Sequence, residues 1–391
     1  MRTIFYFNAS DGYYYLDENE YKFINNINNI YDIENAKKYH AFNGYEANEP
    51  GLRMYKKDFN NWCKELKKNC ILDIDYNKYY NHHVACSTTF KRLSPVYRNT
   101  VFENIDKIES QYMDNCFNGG LQFFNEKYKD IEADCYGYDF SKFYPYNLTK
   151  IQIPTKKGRN TYFKKLPEKL LDFGFYKVKI SCENKNIRKI FAFSTNDTYT
   201  HYDLEFIRKH QKQFNIKIDL ITDIKTNAYI YNEKDLIKGK DIFNNWYNKL
   251  LKLSKMFPKN RLLKHIMSSL WGQLVRKNKS NISEKDMIFE NYDTEDIIDH
   301  FIKGNNSYYV VLDSENLYKD NIARIKCFLT SYGRVRVAKY ALQHIDNVIR
   351  IQTDGVVYNQ PCERESACFI PEEKTTGTII WNHVNKYEKI K

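Results

Sequence analysis

The chain has 391 residues, enough for two or three compact units with a sizeable core. Its 34 Tyr and 25 Phe exclude a disordered chain, which would be poor in aromatics. It carries 61 basic against 49 acidic residues, a formal net charge of +12, and so favours a polyanionic partner such as nucleic acid, whose phosphates release counterions to Lys and Arg.

In chain order, residues 1–85 mix Asn-rich stretches that read as helical, at 18–35 and 56–68, with short apolar pieces. Residues 86–150 hold a basic helix-like segment, a Gly-Gly element and an Asp-bearing segment, in which 134–140 reads as a strand running into a short helix opened by Ser141. Residues 173–193 alternate and read as strands, 202–213 as a helix, and 216–231 as two more strands. Residues 236–277 read as a helical hairpin, broken at 256–259 where Pro258 opens the second helix. Residues 278–320 are polar and acidic, lack strong periodicity and look like an insertion. Residues 322–345 read as a helix, and a β-hairpin centred on Thr353-Asp354-Gly355 follows. Strands and helices mixed in this order indicate an α+β fold.

The nine cysteines (63, 70, 86, 116, 135, 182, 327, 362, 368) form no CxxC pair and no metal-type spacing with His. Reduced thiols in an intracellular protein are the expectation. The opening MRTIFYFNASDG lacks the charged-then-apolar pattern of a signal peptide, and no run reaches the length of a membrane span. The expected location is therefore cytoplasmic or otherwise intracellular, not secreted, with no membrane partner.

Three segments carry candidate chemistry. In Asp139-Phe140-Ser141-Lys142-Phe143-Tyr144-Pro145, a carboxylate at a strand end can hold Mg²⁺ while the Phe140 carbonyl supplies a second oxygen. Tyr144 then falls at the helix start, suited to pack near a nucleotide sugar. Taken alone, this segment reads more simply as an N-capping Asp in an aromatic turn. On the helix at 258–276, Arg261, Lys264, Ser268 and Trp271 project within about 80° of one another, apart from Leu263, Ile266, Met267, Leu270 and Leu274. Cations suit a triphosphate, an aromatic stacks on a base, and Gly272 lets another backbone or a base pair come close. An amphipathic helix with a solvated basic face fits this stripe equally well. Asp354, at a tight turn, can reach a metal held by another strand. Together, two turn-borne carboxylates flanking a cationic helix point to two-metal nucleotidyl transfer. One ion activates a hydroxyl, the other neutralises pyrophosphate, and the lysine stabilises triphosphate charge.

At these residues the sequence resembles the protein-primed branch of family B DNA polymerases, found in phages, linear plasmids and some viruses. The segment from Asp139 to Pro145 is similar to the family's DxxSLYP motif, Lys264-His265-Ile266-Met267-Ser268-Ser269-Leu270-Trp271-Gly272 to KxxxNSxYG, and Gln352-Thr353-Asp354-Gly355 to DTDS. Phe117-Asn118-Gly119-Gly120 resembles the YxGG element, and Thr200-His201-Tyr202-Asp203-Leu204-Glu205-Phe206 a palm segment between the first two motifs. The matches cover about residues 86–385. The resemblance implies a right-hand palm, an antiparallel sheet with helices, and helical-hairpin fingers. It implies DNA-directed dNMP transfer to a primer 3′-OH with two Mg²⁺, or Mn²⁺ in their place. Asp139 and Asp354 would be the catalytic, metal-binding carboxylates, with the Phe140 carbonyl as a further metal oxygen. Lys264, Arg261 and Lys252 would contact the dNTP phosphates, and Tyr144 would exclude the ribose 2′-OH. Ser268 and Trp271 would line the base-pair pocket. Gly119, Gly120, Gly272 and Lys386 would meet DNA. The implied organisation is an exonuclease-like remnant at 1–85, palm at 86–235, fingers at 236–277, an insertion at 278–320 and further palm at 321–391. The position of that insertion points to a terminal-protein primer, beside primer-template DNA and dNTPs as partners.

The departures define the rival readings. Gln352 replaces the first Asp of DTDS, Lys142 a Ser, Ser268 an Asn and Trp271 a Tyr. Asn28-Asn29-Ile30-Tyr31-Asp32 and Tyr55-Lys56-Lys57-Asp58 only faintly match exonuclease motifs, and no DxE lies upstream. The 37 residues after Asp354 are fewer than the family's palm end and thumb require. The expectation is thus a reduced polymerase. Its rivals are an inactive polymerase-like DNA-binding replication protein and one subunit of a split polymerase, completed by a second chain. A reverse transcriptase fits less well, because the hairpin lacks a paired Asp-Asp.

Overall fold

The computed structural model describes residues 2–9, 12–17, 20–24, 36–41, 82–256, 261–289, 296–303, 306–362 and 368–390. The chain divides into two compact units, Met1–Thr100 with Gly239–Leu274, and Val101–Lys238 with Val275–Lys391.

In the first unit, Arg2–Ala9, Gly12–Asp17 and Glu20–Ile24 form an antiparallel meander, and Ala36–Ala41 pairs in parallel with the other edge of Arg2–Ala9. The strand at Glu20–Ile24 corrects the helical reading of 18–35. In Glu20-Tyr21-Lys22-Phe23-Ile24 the period-two alternation and the β preference of Tyr, Phe and Ile outweigh the helix formers around them. The rest of that stretch, the helical reading of 56–68 and both exonuclease-like pieces lie outside the described residues. Three helices, His82–Leu93, Gly239–Met256 and Arg261–Leu274, share a core through Phe90, Phe243, Trp246, Ile266 and Leu270. The Phe90 and Phe243 rings stack at 5.0 Å, and Cys86 Sγ donates to the Ile266 carbonyl at 3.1 Å.

The second unit is built on a seven-stranded antiparallel sheet. Its order runs Lys386–Lys389, Gly377–His383, Glu132–Phe140, Gly355–Tyr358, Val348–Thr353, Leu121–Phe124, and Phe369–Pro371 also pairs with Glu132–Phe140. One face carries Tyr138, Phe140, Ile351, Val356 and Tyr358 into a core shared with Val337, Ala338 and Ala341 of the long helix Ile325–Gln343. The same core reaches a second sheet through Tyr176 and Val178 of Gly174–Ser181, and the helix His201–Phe214 through Leu204 and Ile207. A smaller core of Phe124, Cys135, Ile349, Val357, Ile379 and Trp381 forms separately.

Three local readings change in this unit. Lys185–Phe191 is a helix, not a strand: Asn184 accepts from the Asn186 and Ile187 amides at 3.0 and 3.1 Å, and Ile187, Ile190 and Phe191 bury one helical face. Within 278–320 the described residues form a three-stranded sheet of Lys279–Ser283, Asn306–Leu312 and Ile297–Lys303. Its strands are mostly half-exposed, so little alternation marks them in the sequence. The helix after Asp139 starts at Phe143, with Lys142 rather than Ser141 at its cap, in the left-handed region at φ 54°.

Candidate active site

Strand pairing decides where the two Asp residues lie. Glu132–Phe140 runs antiparallel to Gly355–Tyr358 with Asp139 opposite Gly355, which sets Asp139 beside the turn that bears Asp354. The Phe140 amide donates to the Asp354 carbonyl at 2.9 Å. A Cβ built on Gly355 would lie 3.6 Å from Asp139 Oδ1. Two carboxylates separated by more than two hundred residues thus share one cleft of about 350 Å³.

The turn itself is strained. The Asp354 amide closes onto the Gln352 carbonyl at 2.7 Å, and Thr353 sits at φ 56°, which costs a β-branched residue about 1–3 kcal/mol. Gly120 presses on it: a Cβ there would meet Thr353 Cγ2 at 2.8 Å and Cα at 2.9 Å. The buried Arg334, on the long helix, holds that glycine segment. Its Nη1 donates to the Gly119 carbonyl at 2.8 Å and to the Asn118 carbonyl, and its Nη2 donates to Asp203 Oδ2 at 2.9 Å. Asp203 also closes the capping box with Thr200. One guanidinium therefore ties the Gly-Gly element to the Thr200–Phe206 segment, and the sequence reading had not singled it out.

Tyr144 is half-buried near this turn. Burial pushes its hydroxyl up to about 12, the charge of Asp354 adds to the rise, and Arg334 opposes it. Lys386 is exposed at the start of the last strand, next to Asn385 and Tyr387, which line the cleft. Lys252, Arg261, Lys264, Ser268, Trp271 and Gly272 belong to the other unit. There Lys252, Lys264 and Ser268 are exposed and Trp271 is half-buried. Ile266, Met267, Leu270 and Leu274, four of the residues read as the apolar face, are buried. A Cβ on Gly272 would meet nothing within 4 Å.

Other residues complete the cleft: Gln352 was marked in the sequence as a departure from DTDS, whereas Glu372, Lys374 and Arg350 had no local signal. Gln352 stands where a third carboxylate was expected, and its amide donates to Asn385 Oδ1. Glu372 and Lys374 arrive on a turn that folds over Gly137: the Glu372 amide donates to the Gly137 carbonyl at 2.8 Å, and the Gly137 amide to Thr376 Oγ1 at 3.0 Å. Only glycine fits, since a Cβ would lie 1.9 Å from Thr375 Oγ1. Arg350 completes the wall.

Among the described residues no group of three or more His, Cys, Asp and Glu gathers as a metal cage. Mg²⁺ does not require one. It takes one or two carboxylates and completes its octahedron with water and substrate phosphates. Asp139, Asp354 and a nearby backbone oxygen suit that mode.

The fold is polymerase-like: α+β, with an antiparallel sheet backed by helices. In particular it matches that of phi29 DNA polymerase. The match to this polymerase complexed with primer-template DNA and incoming nucleotide substrates has TM-score 0.54 and 13% identity, over 78% of this chain and 52% of that one. The match to the post-translocation complex with primer-template DNA has TM-score 0.57 and 12% identity, over 93% of this chain and 81% of that one. The chain thus spans about half the length of the polymerase in the first of these complexes. No family model and no curated protein matches the sequence. Among the described residues no helix is long and apolar enough to cross a membrane.

Proposed function

We propose that the chain is a DNA-directed DNA polymerase of the protein-primed family B type, transferring dNMP from dNTP to a primer 3′-OH. The observation that carries this reading is the register that brings Asp139 and Asp354 into one cleft, within a polymerase-like fold. In this account Asp139, Asp354 and the Phe140 carbonyl hold Mg²⁺ or Mn²⁺. The metal would lower the barrier to attack by the primer hydroxyl and neutralise developing phosphate charge. Lys264, Arg261 and Lys252 bind triphosphate, Tyr144 guards the sugar, and Ser268 and Trp271 bound the base pair. Gly119, Gly120, Gly272 and Lys386 meet DNA. Residues 1–85 are taken as an exonuclease-like remnant, 86–235 and 321–391 as palm, 236–277 as fingers and 278–320 as an insertion whose position points to a terminal-protein primer.

Gln352 favours one alternative. Its amide is engaged by Asn385, so this corner of the cleft is neutral where the family carries a carboxylate. That suits an inactive relative that binds primer-template. Primer extension separates the readings. Wild-type protein with primer-template, dNTPs and Mg²⁺ or Mn²⁺ should extend the primer, and Asp139→Ala and Asp354→Ala should each lose at least about a thousandfold in rate. Primer-template binding with no extension under either metal would overturn the enzyme reading.

A further inference from the structure

Arg350 is a cation that the two-carboxylate site does not use. It is 8% exposed, lines the cleft, and lies on the strand that leads to Asp354. Its guanidinium covers the Trp381 ring at 4.6 Å, while Nε and Nη1 are buried with no hydrogen-bond partner among the described residues. Two other buried arginines among the described residues differ in this respect: Arg324 pairs with Glu109 at 2.7 Å and Arg334 with Asp203 at 2.9 Å. Glu372 faces Arg350 across the cleft wall, but its Oε2 accepts from Thr375 Oγ1 at 2.7 Å and it makes no ion pair with the guanidinium.

A desolvated guanidinium with idle donors is costly unless a counterion reaches it. The sequence removes the obvious internal one. Strand residues two apart share a face, so residue 352 is the position from which a carboxylate would neutralise Arg350. Gln352 occupies it, and its amide turns to Asn385. Lys374 adds a second positive charge to the same cleft. The wall behind the Asp pair thus holds two cations, Arg350 and Lys374, against the one carboxylate of Glu372, and the planar N–H donors of a guanidinium match phosphate.

We propose that Arg350 binds a phosphodiester near the 3′ end of the strand whose terminal hydroxyl reaches Asp139 and Asp354. This inference rests on the polymerase reading above. The strand advances about 10 Å from Arg350 to Thr353 before the turn that bears Asp354, so the contact falls behind the terminal hydroxyl and not at it.

The test is metal-free binding of labelled primer-template, followed by fluorescence anisotropy. Each of the last three primer phosphodiesters is replaced in turn by a neutral methylphosphonate. Wild-type protein should lose about tenfold or more in affinity at one of these linkages, as expected for a hydrogen-bonded charge pair. Arg350→Met should bind the unmodified primer-template more weakly by a similar factor and be indifferent to that linkage. It should melt no lower than wild type, because an apolar residue replaces an unpaired buried cation. Arg350→Lys keeps the charge without the fork and should show a reduced response at the same linkage, which serves if the Met variant does not fold. Equal sensitivity of wild type and variant at every linkage would overturn the assignment to Arg350 while leaving the polymerase reading intact. A wild-type protein that binds no primer-template would overturn both.

Discussion

At residue 120 there is room for a hydrogen and little more. A methyl group there would sit 2.8 Å from Thr353 Cγ2 and 2.9 Å from Thr353 Cα, against backbone already held at φ 56°. Gly120→Ala should therefore shift the turn that aims Asp354. The expected result is a loss of extension on the order of a hundredfold with a near-native melting temperature, checked by single-turnover kinetics beside a thermal melt. The glycine was singled out in the sequence by its likeness to a known element, and Asp139 and Asp354 only by the conjunction of their turns with the cationic helix and by the family resemblance. Arg350 was not. In a chain so rich in Lys and Arg, an arginine on a strand looks like surface, and only the later Trp381 and the 372–376 turn make it part of a cleft.

Element by element, legibility followed how completely an element buries one face. His201–Phe214 was readable because Thr200 and Asp203 form a capping box before an amphipathic run, and Glu132–Phe140 because it ends in a recognisable turn. Lys185–Phe191 was missed because a seven-residue helix shows barely two turns of period, and its Asn184 cap is a common residue here. The three strands within 278–320 were missed because half-exposed strands need not alternate. The helix that starts at His201 carries a pH prediction. His201 is buried against Phe173 and Tyr202 and accepts from the Gly174 amide at Nδ1, 3.4 Å. Burial lowers its pKa from 6.5 to about 3. Between these values the unfolded chain binds a proton that the folded protein does not, so stability falls as pH drops from about 6.5 toward 3. The slope from this group approaches about 1.4 kcal/mol per pH unit. Denaturant unfolding of wild type and His201→Gln across this range should show a shallower acid limb in the variant. Parallel limbs would show that His201 is not the titrating group.

For the molecule as a whole, the second unit depends on contacts between distant parts of the chain. Glu109, on the helix Lys107–Cys116, is fully buried and accepts from Arg324 Nε at 2.7 Å, from Arg324 Nη2 at 2.8 Å and from the Tyr231 hydroxyl at 2.7 Å. Arg324→Met strands that carboxylate in the core and should cost about 3–5 kcal/mol in urea unfolding, whereas adding Glu109→Gln should recover much of the loss. Neither residue stood out in the sequence, since an ion pair spanning more than two hundred residues leaves no local pattern. The same long-range register joins the two Asp residues, so the central claim concerns that joining. Mn²⁺ binding to wild type, Asp139→Ala, Asp354→Ala and the double variant, followed by electron paramagnetic resonance in the presence of primer-template and dNTP, tests it most directly. If the strand pairing makes one shared site, each single variant should lose nearly as much bound Mn²⁺ as the double. Losses that simply add, or binding unchanged in either single variant, would contradict the account.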